Sequence, residues 1–394
     1  MTTLVDTGLM TDLQRYGAAD VSACFSCGTC TATCPLVSDD ATFPRRMIRY
    51  AQVGLRDQLL SSKELWTCYA CGECSETCPT QAEPSEFMAA ARRYAIANYD
   101  RTGLARTMYT RPIVGTLIAV ALAALFALFM YAGHGPQDTA SLDIFGFIPE
   151  ELIHNLGIAV MVIVFGAGLV GVATMARAVS RGNGVTMRSI VGGRAALRRS
   201  AAALWSALAV ESLGQRRYRD DCDADASSQP WYLRRWFLHA ATMWGFLGLL
   251  AATILDYGLA LAGIKETGTT VPIWYPVRLL GTIAGILLVY GTTMLIIQRY
   301  RGGERSVRHS TAADWTLLAL VWITGVTGFA LELALYLPEP PAWGYWMFLF
   351  HVAIAMELVI LAPFMKLAHA VYRPVALFFL ALGRPPGDPI GKGA

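Results

Sequence analysis

Residues 24–35 read Cys24-Phe-Ser-Cys27-Gly-Thr-Cys30-Thr-Ala-Thr-Cys34-Pro35, and residues 68–79 repeat the spacing as Cys68-Tyr-Ala-Cys71-Gly-Glu-Cys74-Ser-Glu-Thr-Cys78-Pro79. Eight of the nine cysteines lie in these two copies. In this spacing three close cysteines wrap three irons of one [4Fe–4S] cube, and the fourth, before proline, crosses to the neighbouring cube. The spacing therefore predicts one cluster on Cys24, Cys27, Cys30 and Cys78, and a second on Cys68, Cys71, Cys74 and Cys34. A structural zinc site usually takes two separated C-x2-C pairs instead. A disulfide framework is disfavoured because such tight spacing gives poor bridge geometry. Two neighbouring clusters make a short electron wire.

Beyond about residue 110 the chain changes character. Overall it is 55% hydrophobic and 15% charged, too apolar for a soluble protein of this length. The first 110 residues are polar and hold the cysteine repeats. Met1–Gly28 shows no basic start followed by an apolar core, so no secretory signal is expected. The cysteine region is expected to fold in the cytosol, where thiols stay reduced. A span needs roughly 20 apolar residues, and six stretches qualify: Pro112–Tyr131, Glu151–Met175, Trp236–Ala262, Val277–Gln298, Asp314–Leu337 and Tyr345–Ala370.

The loops predict the orientation. Residues 177–235 carry Arg177, Arg181, Arg188, Arg194, Arg198, Arg199, Arg216, Arg217 and Arg219, and the next loop on that side carries Arg299, Arg301, Arg305 and Arg308. The opposite loops hold Asp138, Asp143, Glu150, Glu151, Glu266 and Glu339, with Lys265 as the clear cation. The positive-inside bias places both termini in the cytoplasm. Within the long loop, Leu197, Leu204, Trp205 and Leu208 recur at helical spacing, predicting an amphipathic helix over Arg194–Leu213 that lies on the membrane or under a partner. Residues 220–229 read as a linker in which Cys222 is a bystander.

Histidine is costly within a span and marks a functional hypothesis, and imidazole is a common axial ligand to haem iron. His351 and His369 are eighteen residues apart, five turns of one continuous helix, which places both on one face about 27 Å apart. His239 enters the third span level with His369, so these two form a plausible bis-histidine haem b. His351 needs a partner at the outer depth, where His154 is the intramembrane candidate. His134 and His309 read as solvated. A quinone is the natural membrane-soluble exchange partner, and Arg278, beginning the fourth span, is the candidate for its oxygen; headgroup snorkelling is the alternative. Asp256, Tyr257, Glu332 and Glu357 are the other polar residues near that depth, and Glu332 or Asp256 could equally cap a helix end or pair with Arg278.

Three segments carry a resemblance: C-F-S-C-G-T-C-T-A-T-C-P, D-D-A-T-F-P-R-R-M-I-R-Y-A-Q-V-G-L and W-T-C-Y-A-C-G-E-C-S-E-T-C-P, within residues 15–100. They resemble the iron–sulfur C subunit of heterodisulfide reductase. Residues 231–374 are similar to the cytochrome b subunit of that system and to the gamma subunit of respiratory nitrate reductase, above all F-L-F-H-V-A-I-A-M-E-L-V-I-L-A-P-F-M-K-L-A-H. The fusion, clusters first, resembles the membrane C subunit of the quinone-interacting membrane-bound oxidoreductase complex. The resemblance implies His351 and His369 as haem ligands of the last span and His239 as the first ligand of the earlier one. The family's second histidine there falls at Leu249, so His154 would have to substitute. It also implies a basic quinone-site residue at Arg278, menaquinone or ubiquinone as substrate, and cytosolic flavin and iron–sulfur partners similar to the A subunit of heterodisulfide reductase.

The expected fold is mainly α: a ferredoxin-like α-helical two-cluster domain (1–110), two spans (111–180), a basic loop (181–230), a four-helix cytochrome b domain (231–376) and a tail (377–394). No glycine-rich nucleotide fingerprint stands between a strand and a helix, so flavin or nicotinamide binding is expected of partners. The expected function is electron transfer between membrane quinone and cytosolic subunits, with one haem or two and no complete active site in this chain. The rival is a membrane anchor and electron donor of a heterodisulfide reductase-like complex with one haem or none. Lipid is an expected partner; nucleic acid is not.

Overall fold

The computed structural model describes residues 4–384 apart from 19–20, 39–41, 139, 221–228, 266–270, 303–309, 338 and 340. Cys222, His309, Glu266, Arg305 and Arg308 lie outside the described residues. Every regular element among those described is helical.

The two cysteine repeats fold alike because their glycines sit where only glycine is comfortable. Gly28 and Gly72 adopt φ of 92° and 93° and open the short helices Thr29–Ala32 and Glu73–Glu76, a left-handed turn that a Cβ disfavours. The two helices meet at equivalent residues, the Thr33 and Thr77 hydroxyls standing 3.2 Å apart. Helix Pro84–Tyr99 supports both, burying Phe87, Met88, Ala91, Tyr94 and Ala95. The Asp100 carboxylate then accepts from the Thr102 and Ala105 amides, turning the chain into Leu104–Thr110 and on to the first span.

Among the described residues, six helices are long and apolar enough to cross a membrane: Pro112–Ala132, Glu150–Gly182, Arg235–Leu261, Pro276–Arg301, Ala312–Tyr336 and Trp343–Phe364. Large side chains such as Phe165 and Leu169 remain 68% and 71% exposed, which suits lipid rather than water. The second span has 33 residues, about 50 Å at 1.5 Å per residue, longer than the hydrocarbon core. Its end reaches the cluster domain, where the Asn183 side-chain amide donates to the Ser61 carbonyl. The cluster domain sits at the bundle end where the first, third and fifth spans begin and the second, fourth and sixth end.

The last span differs from its sequence reading. The helix stops at Leu361, a tight turn covers Ala362–Phe364, Met365 is extended, and a new helix runs His369–Leu382. Pro363 is the physical reason, since it lacks an amide and its ring clashes with the carbonyl four residues back. The single-face relation of His351 to His369 therefore does not hold. The new helix continues past 376 and buries Tyr372, Leu377, Phe379 and Leu380. Tyr372 packs against the rings of Trp66 and Tyr99 at 5.5 and 5.3 Å. Helix Arg194–Trp205, continued by a wider turn over Ser206–Leu213, packs against this last helix, buries Ala196, Ala203 and Ala207 and leaves Leu197, Leu204, Trp205 and Leu208 exposed.

An ionic junction centred on the buried pair Arg93 and Asp314 joins the two parts. Arg93 donates to the Tyr16 carbonyl at 2.7 Å and to Asp314 at 3.3 Å, and Lys366 reaches the other Asp314 oxygen at 3.2 Å. Deeper in the bundle, the third and fourth spans approach backbone to backbone. A Cβ on Gly245 would lie 2.5 Å from the Leu288 nitrogen, and one on Gly291 would lie 2.8 Å from the Leu238 carbonyl. Such contacts bind membrane helices by close packing. Gly245→Leu is expected to cost about 1–3 kcal/mol by overpacking, read as a lower melting temperature in detergent. Gly258→Leu, where the added Cβ meets open space, should leave it unchanged.

Candidate redox-cofactor site

The cysteine thiols gather in two groups. Cys30 lies within electrostatic reach of Cys24, Cys27 and Cys78, and Cys34 of Cys68 and Cys71. Cys74 faces Cys68, Cys71 and Cys34, and also Cys30, where the groups adjoin. Cys34, Cys68, Cys71 and Cys74 line one pocket with Leu36, Phe43 and Met88. Burial pushes the Cys34 thiol up to about 12, aided by repulsion from Cys68, and burial likewise pushes Cys74 up. Buried thiols crowded in this way stay neutral unless a cation draws off their protons, as bound iron does. The groups differ in exposure: Cys68 and Cys74 are buried, whereas Cys27 is exposed.

The second group is fastened to the membrane part by arginines. Arg92 and Arg373 donate to the Cys68 carbonyl at 3.1 and 3.2 Å, and Arg235 donates to the Ala70 and Cys71 carbonyls at 3.3 and 3.5 Å. The Arg373 guanidinium lies 3.8 Å from the Tyr69 ring centre, and that ring stacks on Tyr218 at 4.7 Å. Arg235 is one helical turn before His239, and Arg373 one turn after His369. The two histidine rings stand 6.2 Å apart.

Two imidazoles on opposite sides of one metal, each bound at about 2 Å, have ring centres roughly 6 Å apart, a separation this pair matches. Each ring is also oriented by its other nitrogen. His239 Nδ1 meets the Gln215 side-chain oxygen at 3.1 Å, and His369 Nδ1 meets the Lys366 carbonyl. Partners of this kind fix the ring and tautomer of histidines that ligate metals. Arg373 and Lys366 are near cations of both rings, joined by Arg235 at His239 and Arg92 at His369. This charge suits the two propionates of a haem. Gln215, Tyr218, Arg235 and Arg373 were missed in the sequence, although the four-residue spacing of the two arginines from the histidines was a usable signal.

At the opposite end the arrangement is looser. His351 Nδ1 bonds the Thr327 hydroxyl at 2.9 Å, and that hydroxyl donates to the Ile323 carbonyl. His154 lies against Tyr257, ring centres 4.7 Å apart, with Glu150 at 3.5 Å. No ring contact joins His154 to His351 among the described residues. Arg278 donates to Glu332 at 3.2 Å, the Thr282 hydroxyl shares that oxygen at 3.0 Å, and the guanidinium lies 5.3 Å from the Tyr336 ring. Asp256 is paired with Lys265. Arg278 is thus held on the bundle by Glu332 rather than extended toward headgroups.

Comparison with known proteins divides the chain at the same junction. Residues 20–82 match the 4Fe-4S dicluster domain, and residues 105–387 match the family described as citrate utilization protein B. The N-terminal part is 36% identical over 62 residues to the C subunit of the H(2):CoB-CoM heterodisulfide,ferredoxin reductase of Methanothermobacter thermautotrophicus, covering 16% of this chain and 34% of the relative. It is 44% identical over 46 residues to the iron–sulfur C subunit of the CoB--CoM heterodisulfide reductase of Methanopyrus kandleri, covering 12% and 24%. The Escherichia coli citrate utilization protein B is 28% identical over 163 residues, 40% of each chain. The matches thus span between a quarter and two fifths of these relatives' lengths. No solved structure matches. The likeness to the C subunit of heterodisulfide reductase and the two-cluster domain are therefore shown, joined to a multi-pass membrane part.

Iron content tests the grouping of the thiols. Cys34→Ala with Cys74→Ala, both in one group, should lower iron from about eight atoms per chain to about four. Cys34→Ala with Cys30→Ala strikes both groups and should leave almost none.

Proposed function

The chain belongs to the citrate utilization protein B family, and from that premise we propose that it is the membrane electron-transfer subunit linking a quinone pool to soluble redox subunits. The observation that carries this reading is the His239–His369 pair, 6.2 Å across, lying one helical turn from the arginines that hold the Cys68–Cys71 loop. Bound clusters and haem would supply reversible one-electron transfer, with quinone exchanging its electrons together with protons.

The chain's own residues have definable tasks. Cys24, Cys27, Cys30 and Cys78 hold the exposed cluster, and Cys68, Cys71, Cys74 and Cys34 the one beside the membrane. Leu36, Phe43 and Met88 keep water from the latter. His239 and His369 ligate an inner haem b, with Gln215 and the Lys366 carbonyl orienting them. Two imidazoles leave no open position on an iron, which suits electron passage rather than oxygen binding. His351, held by Thr327, ligates a second haem with His154, and Arg278 meets a quinone oxygen. A second reading retains only the inner haem; it is favoured by Leu249 and by the engagement of His154 with Tyr257 and Glu150.

On this reading the chain lies in the inner membrane with both termini cytoplasmic, and its partners are flavin and iron–sulfur proteins resembling the A subunit of heterodisulfide reductase. The test is the reduced-minus-oxidised spectrum and haem content of the purified chain. His239→Ala and His369→Ala should each abolish the inner b-type band while about eight irons remain. His154→Ala should reduce two haems to one, or leave a single haem untouched if the second reading holds. A full haem complement in both His239→Ala and His369→Ala would overturn the proposal.

A further inference from the structure

The two cysteine repeats present the same loop twice, and only one copy is covered. Ser26 and Ala70 share positive φ values of 62° and 55°, as do Gly28 and Gly72 just beyond. Each loop therefore displays an aromatic residue, a row of carbonyls and its second thiol in the same way. In the membrane-side copy all three features are engaged or enclosed: Tyr69 stacks on Tyr218 beneath Arg373, and arginines take the carbonyls of Cys68, Ala70 and Cys71. In the other copy Phe25 is 65% exposed and Cys27 is exposed. Its Cys24 carbonyl is taken by Gln52 of the same domain at 2.9 Å.

A hollow adjoins this open loop, lined by Met10, Gln14, Cys24, Phe25, Arg49 and Gln52. Its rim is cationic. Helix Arg45–Gln52 buries Met47, Ile48 and Ala51 inward, so Arg45 and Arg49, one turn apart, stand exposed on its outer face. The Arg45 guanidinium lies along the loop, 3.2 Å from where a Cβ on Gly28 would sit. Asp12, on the helix bordering the hollow, is already paired with Arg15 and Arg56.

Resting on the reading of the chain as an electron-transfer subunit, we propose that the Cys24–Gly28 loop, the adjoining hollow and the Arg45/Arg49 rim form the docking surface for an acidic soluble redox protein. An apolar centre beside a cluster ligand gives close approach, and a cationic rim steers and orients an acidic partner. A second copy of this chain is the wrong occupant, because a twofold pairing of this face would set the same arginines against each other. One electron crosses per encounter, between the cluster on Cys24, Cys27, Cys30 and Cys78 and the partner's own carrier. No bond forms and no proton moves.

The test uses the full chain in detergent with two probes of opposite charge, an acidic blue-copper protein and a basic c-type cytochrome. The acidic probe should bind the wild type more tightly, and its affinity should fall with added salt. Arg45→Glu with Arg49→Glu should raise its Kd about tenfold or more and shift the preference to the basic probe, with iron content unchanged. Phe25→Ser should slow oxidation of the chemically reduced clusters by the acidic probe at saturating probe. Should the double variant lose iron, Arg49→Gln alone still has to raise Kd about threefold. Tighter binding of the basic probe by the wild type, or a Kd indifferent to these arginines, would overturn the proposal. The His239→Ala chain should bind both probes as the wild type does, so failure of the haem reading is seen separately, in its spectrum.

Discussion

The structure depends on the capture of one short loop by arginines. Residues 67–71 turn backbone carbonyls toward the membrane part, and Arg92, Arg235 and Arg373 donate to them. A charged donor on a carbonyl makes a stronger hydrogen bond than a neutral one. Its planar, forked head also lets one arginine reach adjacent carbonyls, as Arg235 does with Ala70 and Cys71. The three arginines come from the cluster domain, the start of the third span and the last helix. Their convergence sets the height and rotation of the cysteine domain on the bundle.

That capture makes two nearly identical halves inequivalent. The repeats agree in spacing, in backbone sign and in the Thr33–Thr77 contact between them. One half then turns inward, with buried thiols in an apolar pocket, and the other outward, with Cys27 and Phe25 exposed. A symmetric pair of thiol groups becomes an ordered one, with a membrane side and a solvent side. The histidine pair extends the order inward, since His239 and His369 are on the same helices as Arg235 and Arg373.

The break at Pro363 has the same architectural consequence. A continuous last span would carry His369 onward along the axis of Trp343–Leu361. Interruption lets Lys366 turn to Asp314 and lends its carbonyl to His369, while the helix that follows runs beneath the cysteine domain. The ionic junction of Arg93, Asp314 and Lys366 and the placement of the histidine are one feature. Arg93 and Asp314 are buried and pair with each other, the condition under which buried ions are tolerated, while Lys366 reaches Asp314 from a half-exposed position.

Several features were legible from residues alone. The cysteine spacing identified the two-cluster domain, because ligands within eleven residues are positioned by local backbone geometry. The six spans were legible because length and apolarity are what a bilayer requires of a helix. Other features were not. The pairing of His239 with His369, 130 positions apart, was readable from their matching depth, but not the break after Leu361 that gives His369 a helix of its own. Arg278 was readable as an intramembrane cation, yet its partnership with Glu332 depends on the fourth and fifth spans lying side by side. Which cysteine group faces the membrane could not be read at all, since the two motifs are equivalent along the chain. Local spacing determined what each segment is; long-range packing, which no local pattern records, decided which equivalent segment touches what.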